Sequence, residues 1–224
     1  TRLECVTSTA AYLTSLNIVY SKIFQALSSG INFLSIEEMN YLSQYNDSVP
    51  YSQNEVYDIY DIIDKLNSNS SHKDVLILKP GMHVNSGIIS LVYYGRLGEK
   101  DVVIKVKRRG VREKLEDGIK LAEFIAYISN YIPYINKLNL KTVVQENKDV
   151  LLKQTDFTIE IANMIEIKHK FRNVDYVTIP EPHECFTKIN NDVIVMEQIK
   201  GYRRNDIEID SNMELKKKFA TLIA

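Results

Sequence analysis

Two strand-like stretches joined by a short glycine-containing segment constrain the fold of this chain most. Residues 88–97 and 102–106 are rich in β-branched and aromatic side chains, and Gly98 opens the four residues between them. A four-residue connection that contains glycine is typical of a β-hairpin. The second stretch is predicted to lie with one face on a core, because its side chains alternate between two sets. The apolar set is Val102, Ile104 and Val106, and the other set is Val103, Lys105 and Lys107.

Helical patterns precede the hairpin. Apolar side chains at steps of three and four predict an amphipathic helix over residues 8–28. The segments Ser35–Glu38 and Ser52–Glu55 have the form of capping boxes, each of which would open a helix. The polar run at 67–72 is a loop and the best internal boundary of the chain.

Further helices and strands are predicted after the hairpin. Residues 111–129 carry an apolar stripe at helical spacing, and Asp156 is placed to cap a helix over residues 157–171. Residues 184–189 and 193–198 are predicted to be strands. Helices first, then a hairpin with mixed elements, indicate an α+β fold.

Composition excludes several classes of function. With 45% hydrophobic residues in 224 the chain can bury a core, and its net charge of -1 argues against a nucleic-acid binder. The two cysteines, Cys5 and Cys185, are far apart and have no zinc spacing, which indicates a reduced intracellular compartment. The four histidines are scattered, so no metal site is predicted from them. The helical pattern at 214–224 has no cap after it, and we expect a fragment of a longer protein.

Lys105 and Glu160 are the candidate functional pair. Taken alone, Lys105 is most simply a solvent-facing lysine of a half-buried strand. Glu160 heads an apolar helical stripe, where a carboxylate either complements the helix N-terminus or meets a cation. The second alternative corresponds to the lysine–glutamate pair that positions nucleotide phosphates in kinases. Upstream, the polar turn at 84–90 contains Gly87 and could present backbone N–H groups to phosphate.

Several motifs in this order resemble the UbiB-type atypical kinases of ubiquinone (coenzyme Q) biosynthesis. Residues 20–28 are similar to the family's KxGQ helix, with Lys22 and Gln25 in the signature positions and Phe24 in place of glycine. The strand ending at Lys105 is similar to the V-A-x-K strand. The segment 151–162 resembles the family's ExD segment and the helix glutamate that follows it. There, Gln154 stands where the family has glutamate, and Asp156 and Glu160 are kept.

The resemblance implies a fold and a division of the chain. The fold would be a protein-kinase-like small lobe, an antiparallel sheet with helices, preceded by a helical N-terminal extension. The extension would span 1–72 and the small lobe 73–201, and residues 202–224 would begin the large lobe. No H-x-D-x-x-x-x-N or D-F-G pattern occurs in the chain, so the magnesium ligands are expected beyond its end.

The resemblance also implies roles for individual residues. The cofactor would be ATP or ADP with Mg²⁺, and Lys105 would contact its phosphates while Glu160 holds the lysine. Lys22 would lie near the ExD-like segment, in an arrangement that favours ATPase or small-molecule chemistry over protein phosphorylation. By family, the protein would be membrane-peripheral, with lipid contact through the extension. The remaining nucleotide contacts would come from the turn residues Asn85, Ser86, Gly87 and Ile88, from Val103, and from backbone groups of Met196, Glu197 and Gln198.

Two alternatives stay open. The chain could belong to a degenerate, non-catalytic relative that binds nucleotide or acts as a scaffold. Three departures from the family pattern favour this alternative: Phe24, Gln154 and the turn at 85–88, which lacks the alanines of the family's alanine-rich loop. It could also be a helical interaction module with an unrelated sheet, in which Lys105 and Glu160 never meet. The last alternative predicts the two side chains on opposite faces of the domain.

Overall fold

The computed structural model describes residues 2–17, 19–28, 35–43, 49, 51–80, 85–131 and 140–200. The proposed start of a large lobe at 202–224 and the helix expected at 214–224 lie outside these residues. So do Gly201 and the side chain of Gln25.

A five-stranded antiparallel sheet forms the centre of the described structure. Its strands are β1 Leu76–Leu78, β2 Asn85–Ser86, β3 Ser90–Leu97, β4 Lys100–Lys107 and β5 Val193–Glu197. Their order is β1–β3–β4–β5, where β1 pairs with the last residues of β3 and the short β2 pairs with its first half. The predicted hairpin is formed by β3 and β4, but its turn has two residues rather than four, since Leu97 pairs with Lys100. Gly98 has φ +60°, the left-handed conformation that such tight turns require.

The main core lies on one face of this sheet. The apolar set of β4 faces it, as the alternation predicts, together with Val193 and Val195 of β5. Two helices cover this face, α4 Ile59–Asn69 and α8 Glu184–Ile189. The buried side chains that join them include Ile62, Ile63, Leu66, Phe186, Val102, Ile104 and Val106.

The other face of the sheet carries helix α7, Phe157–Lys170. Asp156 caps it as predicted, and its carboxylate accepts a hydrogen bond from the Thr158 backbone N–H at 2.9 Å. Phe157 and Ile161 pack on Ile194 of β5 in a small second cluster. This packing fixes α7 against the face of β4 that carries Lys105.

The N-terminal region folds as two helices where one was predicted over 8–28. Helix α1 spans Arg2–Leu16 and α2 spans Val19–Ser28. Asn17 causes the break, because its carboxamide oxygen accepts from Val19 N at 2.9 Å and its NH₂ donates to Lys114 O at 2.8 Å. Gly118 permits this approach, since a Cβ there would lie 2.6 Å from the Asn17 side chain.

The first capping box is confirmed and the second is wrong. Ser35 and Glu38 exchange both backbone-to-side-chain hydrogen bonds at the start of α3, Ile36–Ser43. Ser52–Glu55 instead leads into a short 3₁₀ turn, and α4 begins later with Asp58 as its cap. The Glu55 carboxylate is drawn away from the backbone by Arg108 and Lys114, which bind it more strongly than an N–H would.

The remaining helices include one correction. Residues 184–189 form α8 rather than a strand, because Cys185, Phe186 and Ile189 reach the core together only at helical spacing. A six-residue apolar pattern does not separate the two conformations. Helix α5, Val111–Ser129, and β5 confirm the predictions at 111–129 and 193–198, whereas α6, Leu140–Lys153, had not been predicted.

Candidate functional site

Lys105 and Glu160 form an ion pair between β4 and α7. Their side chains are 20% and 33% exposed, so the pair is sheltered but open on one side. Strand alternation directs Lys105 to the face opposite the main core, and Glu160 lies one turn into the helix packed on that face. The contact excludes the arrangement with the two side chains on opposite faces of the domain.

Phe157 supports this arrangement from below. Its ring is almost fully buried, and its centroid lies 5.4 Å from Lys105 Nζ and 5.2 Å from Lys107 Nζ. A ring face at this distance attracts both ammonium groups. Lys107 turns to Asp192, at 2.6 Å, and therefore does not compete for Glu160. Both lysines thus lie over the same ring, and each pairs with its own carboxylate.

A cleft of about 660 Å³ opens in front of the pair. Its charged side chains are Lys22, Lys105, Lys153 and Glu160, an excess of positive charge that suits an anionic ligand. The predicted site residues that it brings together are Lys22, Gly87, Ile88, Lys105, Gln154 and Glu160. The rest of the cleft lining consists of Val49, Ile89, Ser90, Val150, Phe157, Ile159 and Asn163.

The predicted phosphate turn is divided by the structure. Asn85 and Ser86 belong to β2, and the Ser86 hydroxyl is buried in contact with Val49 and Arg108 instead of facing the cleft. Gly87 and Ile88 do line the cleft. The Gly87 N–H donates to Ser90 O at 2.9 Å and closes the turn on itself.

The residues predicted for the adenine also separate into two groups. Val103 and Met196 are paired across β4 and β5 and share the sheet face of Lys105. The Glu197 side chain lies on the other face, by a polar cavity that also contains His183 and Gln198. The backbone N–H groups of Glu197 and Gln198 donate to Glu181 O at 2.9 Å and Asp101 O at 3.0 Å. These two donors are already used within the protein.

Lys22 of α2 lines the cleft, and the side chain of the other signature residue, Gln25, lies outside the described residues. Gln154, at the position where the resemblance places a glutamate, lines the same cleft. Phe24 packs in the cluster between α1 and α3. Asp156 caps α7, and the hydrogen bond from the Thr158 hydroxyl, with others from the backbone, lowers the pKa of its carboxyl below the usual value.

Two residues at or near the cleft, Phe157 and Arg108, were not singled out from the sequence. Phe157 gives no signal beyond its place after a helix cap. Arg108 does, because it continues the core-facing alternation of Val102, Ile104 and Val106 and was therefore due to be buried. A charged residue at an inward-facing position indicates a buried partner, and here that partner is Glu55 at 2.9 Å.

An antiparallel sheet whose lysine-bearing strand is paired to the glutamate of a packed helix defines a kinase-like small lobe. The described chain has this architecture, with helices before the sheet. The family model of the ABC1 atypical kinase-like domain matches residues 83–223, more than half of the chain. The chain belongs to this family.

Individual relatives agree with the family. Proteins named "Probable protein kinase UbiB" are 35% identical over 117 residues in Actinobacillus pleuropneumoniae serotype 5b and 32% identical over 126 residues in Vibrio parahaemolyticus. These alignments cover 50% and 55% of this chain but 20% and 23% of the relatives. The solved complex of Rv3197 with erythromycin from Mycobacterium tuberculosis matches 58% of this chain and 32% of that chain, at 18% identity and a TM-score of 0.42.

The described residues contain neither a metal-binding cluster nor a membrane-spanning helix. Within 2–131 and 140–200, apart from the undescribed gaps, no three His, Cys, Asp or Glu side chains are grouped to hold a metal ion. None of the helices placed by the structure is both long enough and apolar enough to cross a bilayer.

Proposed function

We propose that this chain supplies the nucleotide-binding small lobe of an atypical kinase or ATPase of the UbiB type. The observation that carries the proposal is the Lys105–Glu160 ion pair at the wall of a cationic cleft. The ligand would be ATP or ADP together with Mg²⁺. The aligned relatives are about five times longer than the matched segment, so the reaction of the whole protein is part of the proposal.

The chemistry of the pair suits phosphate binding. An ammonium group held by a carboxylate is fixed in place and retains donors for phosphate oxygens. Lys22 and Lys153 add positive charge to the same cleft. Val103 and Met196, on the same sheet face, offer an apolar surface of the kind that an adenine ring packs on.

Magnesium would be bound by other parts of the protein. When bound, it would neutralise charge that develops during phosphoryl transfer. The described residues contribute no acidic cluster for it. Their part is to bind the nucleotide and to orient its phosphates.

A non-catalytic, nucleotide-binding relative is the second candidate. Gln154 favours it, because a neutral amide beside Lys22 in the cleft replaces the charge that a glutamate would provide. ATP hydrolysis by the full-length protein with Mg²⁺ separates the candidates. Turnover above that of a Lys105→Ala variant supports the enzyme, and binding without turnover supports the second candidate.

Lipid contact through the extension is a further part of the proposal. The proposed lipid contact is supported by helix α1, which exposes the large apolar side chains of Tyr12 and Leu16. Co-sedimentation of the full-length protein with phospholipid vesicles tests it. Replacement of both residues by serine should reduce the bound fraction, and equal binding would remove α1 from the contact.

The nucleotide site is tested by thermal stabilisation. The full-length protein is expected to melt at a higher temperature with ADP and Mg²⁺, and Lys105→Ala and Glu160→Gln should lose most of this shift. Lys107→Ala is the matched control. Lys107 lies on the same sheet face as Lys105 and over the same Phe157 ring, but it pairs with Asp192. Equal shifts in wild type and Lys105→Ala would remove Lys105 from the nucleotide site.

A further inference from the structure

Arg108 is the most deeply buried charged side chain beside the cleft. It follows β4 on the core-facing side, and its side chain is 1% exposed. A buried guanidinium is costly unless a carboxylate and hydrogen-bond acceptors surround it. The proposed function assigns no role to this residue, so its partners need an explanation of their own.

The partners of the Arg108 guanidinium come from two distant segments. One nitrogen donates to Glu55 Oε2 at 2.9 Å, and the other donates to Val49 O at 3.1 Å and to the Ser86 hydroxyl. The Ser86 hydroxyl in turn donates to Val49 O. Lys114 completes the group with a bond to Glu55 Oε1 at 2.7 Å. The guanidinium therefore joins the segment 49–57 to β2. This strand leads into residues 87–89, which line the cleft and are called the cleft turn.

The charges in this group are held by one another. Burial raises the pKa of the Glu55 carboxyl, but the hydrogen bond from Lys114 and the charge of Arg108 outweigh it and leave the pKa lowered. Burial lowers the pKa of Arg108 and Glu55 opposes this, and the guanidinium stays charged because its ordinary pKa is far above neutrality. The ion pair is intact at neutral pH.

Arg108 also holds the far end of the cleft turn through its backbone. The Arg108 N–H donates to Ile89 O at 2.9 Å, while Ser86 O accepts from Val49 N at 3.0 Å. Gly87 and Ile88, which line the cleft, lie between these two attachment points. Ile88 additionally packs with Val19 at the start of the helix that carries Lys22.

We propose that Arg108 is a positioning residue that couples the segment 49–57 to the cleft turn 87–89, so that the two are ordered together. A nucleotide that orders the turn then stabilises the segment, and the segment tightens nucleotide binding by the same factor. This inference rests on the proposed function for its ligand but not for the coupling itself, which exists in the free protein.

The first experiment needs no ligand. Amide hydrogen exchange of the full-length protein is compared between wild type, Arg108→Lys and Glu55→Gln. In the described structure Glu55 makes no hydrogen bond or ion pair with the turn, yet its substitution is expected to speed exchange at 86–90 as well as at 49–57, because the effect passes through Arg108. Arg112→Ala is the control, since Arg112 is exposed and pairs within α5 with Glu116.

The second experiment measures affinity for ADP with Mg²⁺ in the same variants. We expect Arg108→Lys and Glu55→Gln to weaken binding about 5- to 50-fold, in the range of ordinary coupling between sites. Phe186→Leu controls for lost stability, because Phe186 is buried in the main core, on the sheet face opposite Lys105. The change should lower the melting temperature and leave affinity unchanged. Both measurements are made well below the melting temperature of each variant.

The outcomes separate the two proposals. Faster exchange in both segments with weaker ADP binding supports the coupling. Faster exchange at 49–57 alone, with the turn and the affinity as in wild type, overturns it. If wild type does not bind ADP, the proposed function fails, and the exchange result still decides the coupling.

Discussion

Two ion pairs three positions apart along β4 and its end have opposite characters. Lys105–Glu160 is sheltered but open to a cleft, whereas Arg108–Glu55 is closed off, with side chains 1% and 14% exposed. Lys105 has a single carboxylate partner in the described structure, and Arg108 is bound on several sides. This difference is the basis for proposing that the Lys105 pair binds a ligand and that the Arg108 pair connects parts of the fold.

The physical reason is strand alternation. Residues 105 and 108 have opposite parity, so they leave the strand on opposite faces of the sheet. The face of Lys105 is covered only in part, by α7, and the cleft remains beside it. Donors of an ammonium group that still faces an opening can bind an incoming anion, whereas the two terminal nitrogens of Arg108 already donate to Glu55, Val49 and Ser86.

The sharpest way to break the comparison is Arg108→Met. The change removes the buried cation and leaves Glu55 with Lys114 alone, so the free energy of unfolding should fall by about 3–5 kcal/mol. Urea unfolding followed by circular dichroism measures it. A loss below about 1 kcal/mol, the range of exposed ion pairs, would show that the two pairs do not differ as described.

Glu55→Gln should have the next largest effect, about 1.5–3 kcal/mol, as hydrogen bonds to charged groups are lost. It also changes the pH dependence. The Glu55 pKa is lower in the folded protein than its ordinary value of 4.5, so the folded state binds fewer protons than the unfolded state. The stabilisation contributed by the Glu55 charge is therefore present above pH 4.5 and is lost as the pH falls below that value.

This pH effect is measured as the slope of unfolding free energy against pH below 4.5. The variant, which has no carboxyl at 55, should show a shallower acid loss than wild type. Identical slopes would mean that the Glu55 charge contributes nothing to folding.

Lys105→Ala should cost less than about 1 kcal/mol of unfolding free energy, since a partly exposed pair contributes little to stability. The nucleotide-induced thermal shift should nonetheless disappear. A large loss of stability with the shift retained would reverse the assignment of the two pairs.

Lys107→Ala is expected to change least. Its pair with Asp192 is partly exposed, and the unfolding free energy should move by about 0.5 kcal/mol or less with the nucleotide shift unchanged. A loss of the shift here would show that general positive charge on this face, rather than Lys105 in particular, binds the ligand.

Much of this architecture could be predicted from local patterns. The hairpin, α5 and the capped start of α7 depend on neighbours in the chain, and these predictions are confirmed. The predictions that were wrong depended on distant partners. Asn17 breaks a continuous helical pattern because it bonds to Lys114, and Glu55 abandons its capping box because Arg108 and Lys114 attract it.

The candidate site shows the same division. Lys105 and Glu160 could be paired in advance, because each sits at a readable position on its own element and the family resemblance joins them. The separation of Glu197 from Met196 could not, since neighbouring residues of a strand point to opposite faces and only the assembled sheet shows which face opens to the cleft. The separation of Ser86 from Gly87 could not either, because the Ser86 hydroxyl is bound by the distant Val49 and Arg108.

The sequence by itself determined the hairpin, α5, β5 and the capped start of α7, together with the face on which Lys105 lies. The family resemblance added the glutamate that meets Lys105. Periodicity and caps act over a few residues, so these features are written locally. Only the tertiary structure decided that Arg108 binds Val49, Glu55 and Ser86, which connects these residues next to the turn at Gly87. Those contacts join residues up to 59 positions apart, and burial of the charge, rather than any local preference, selects them.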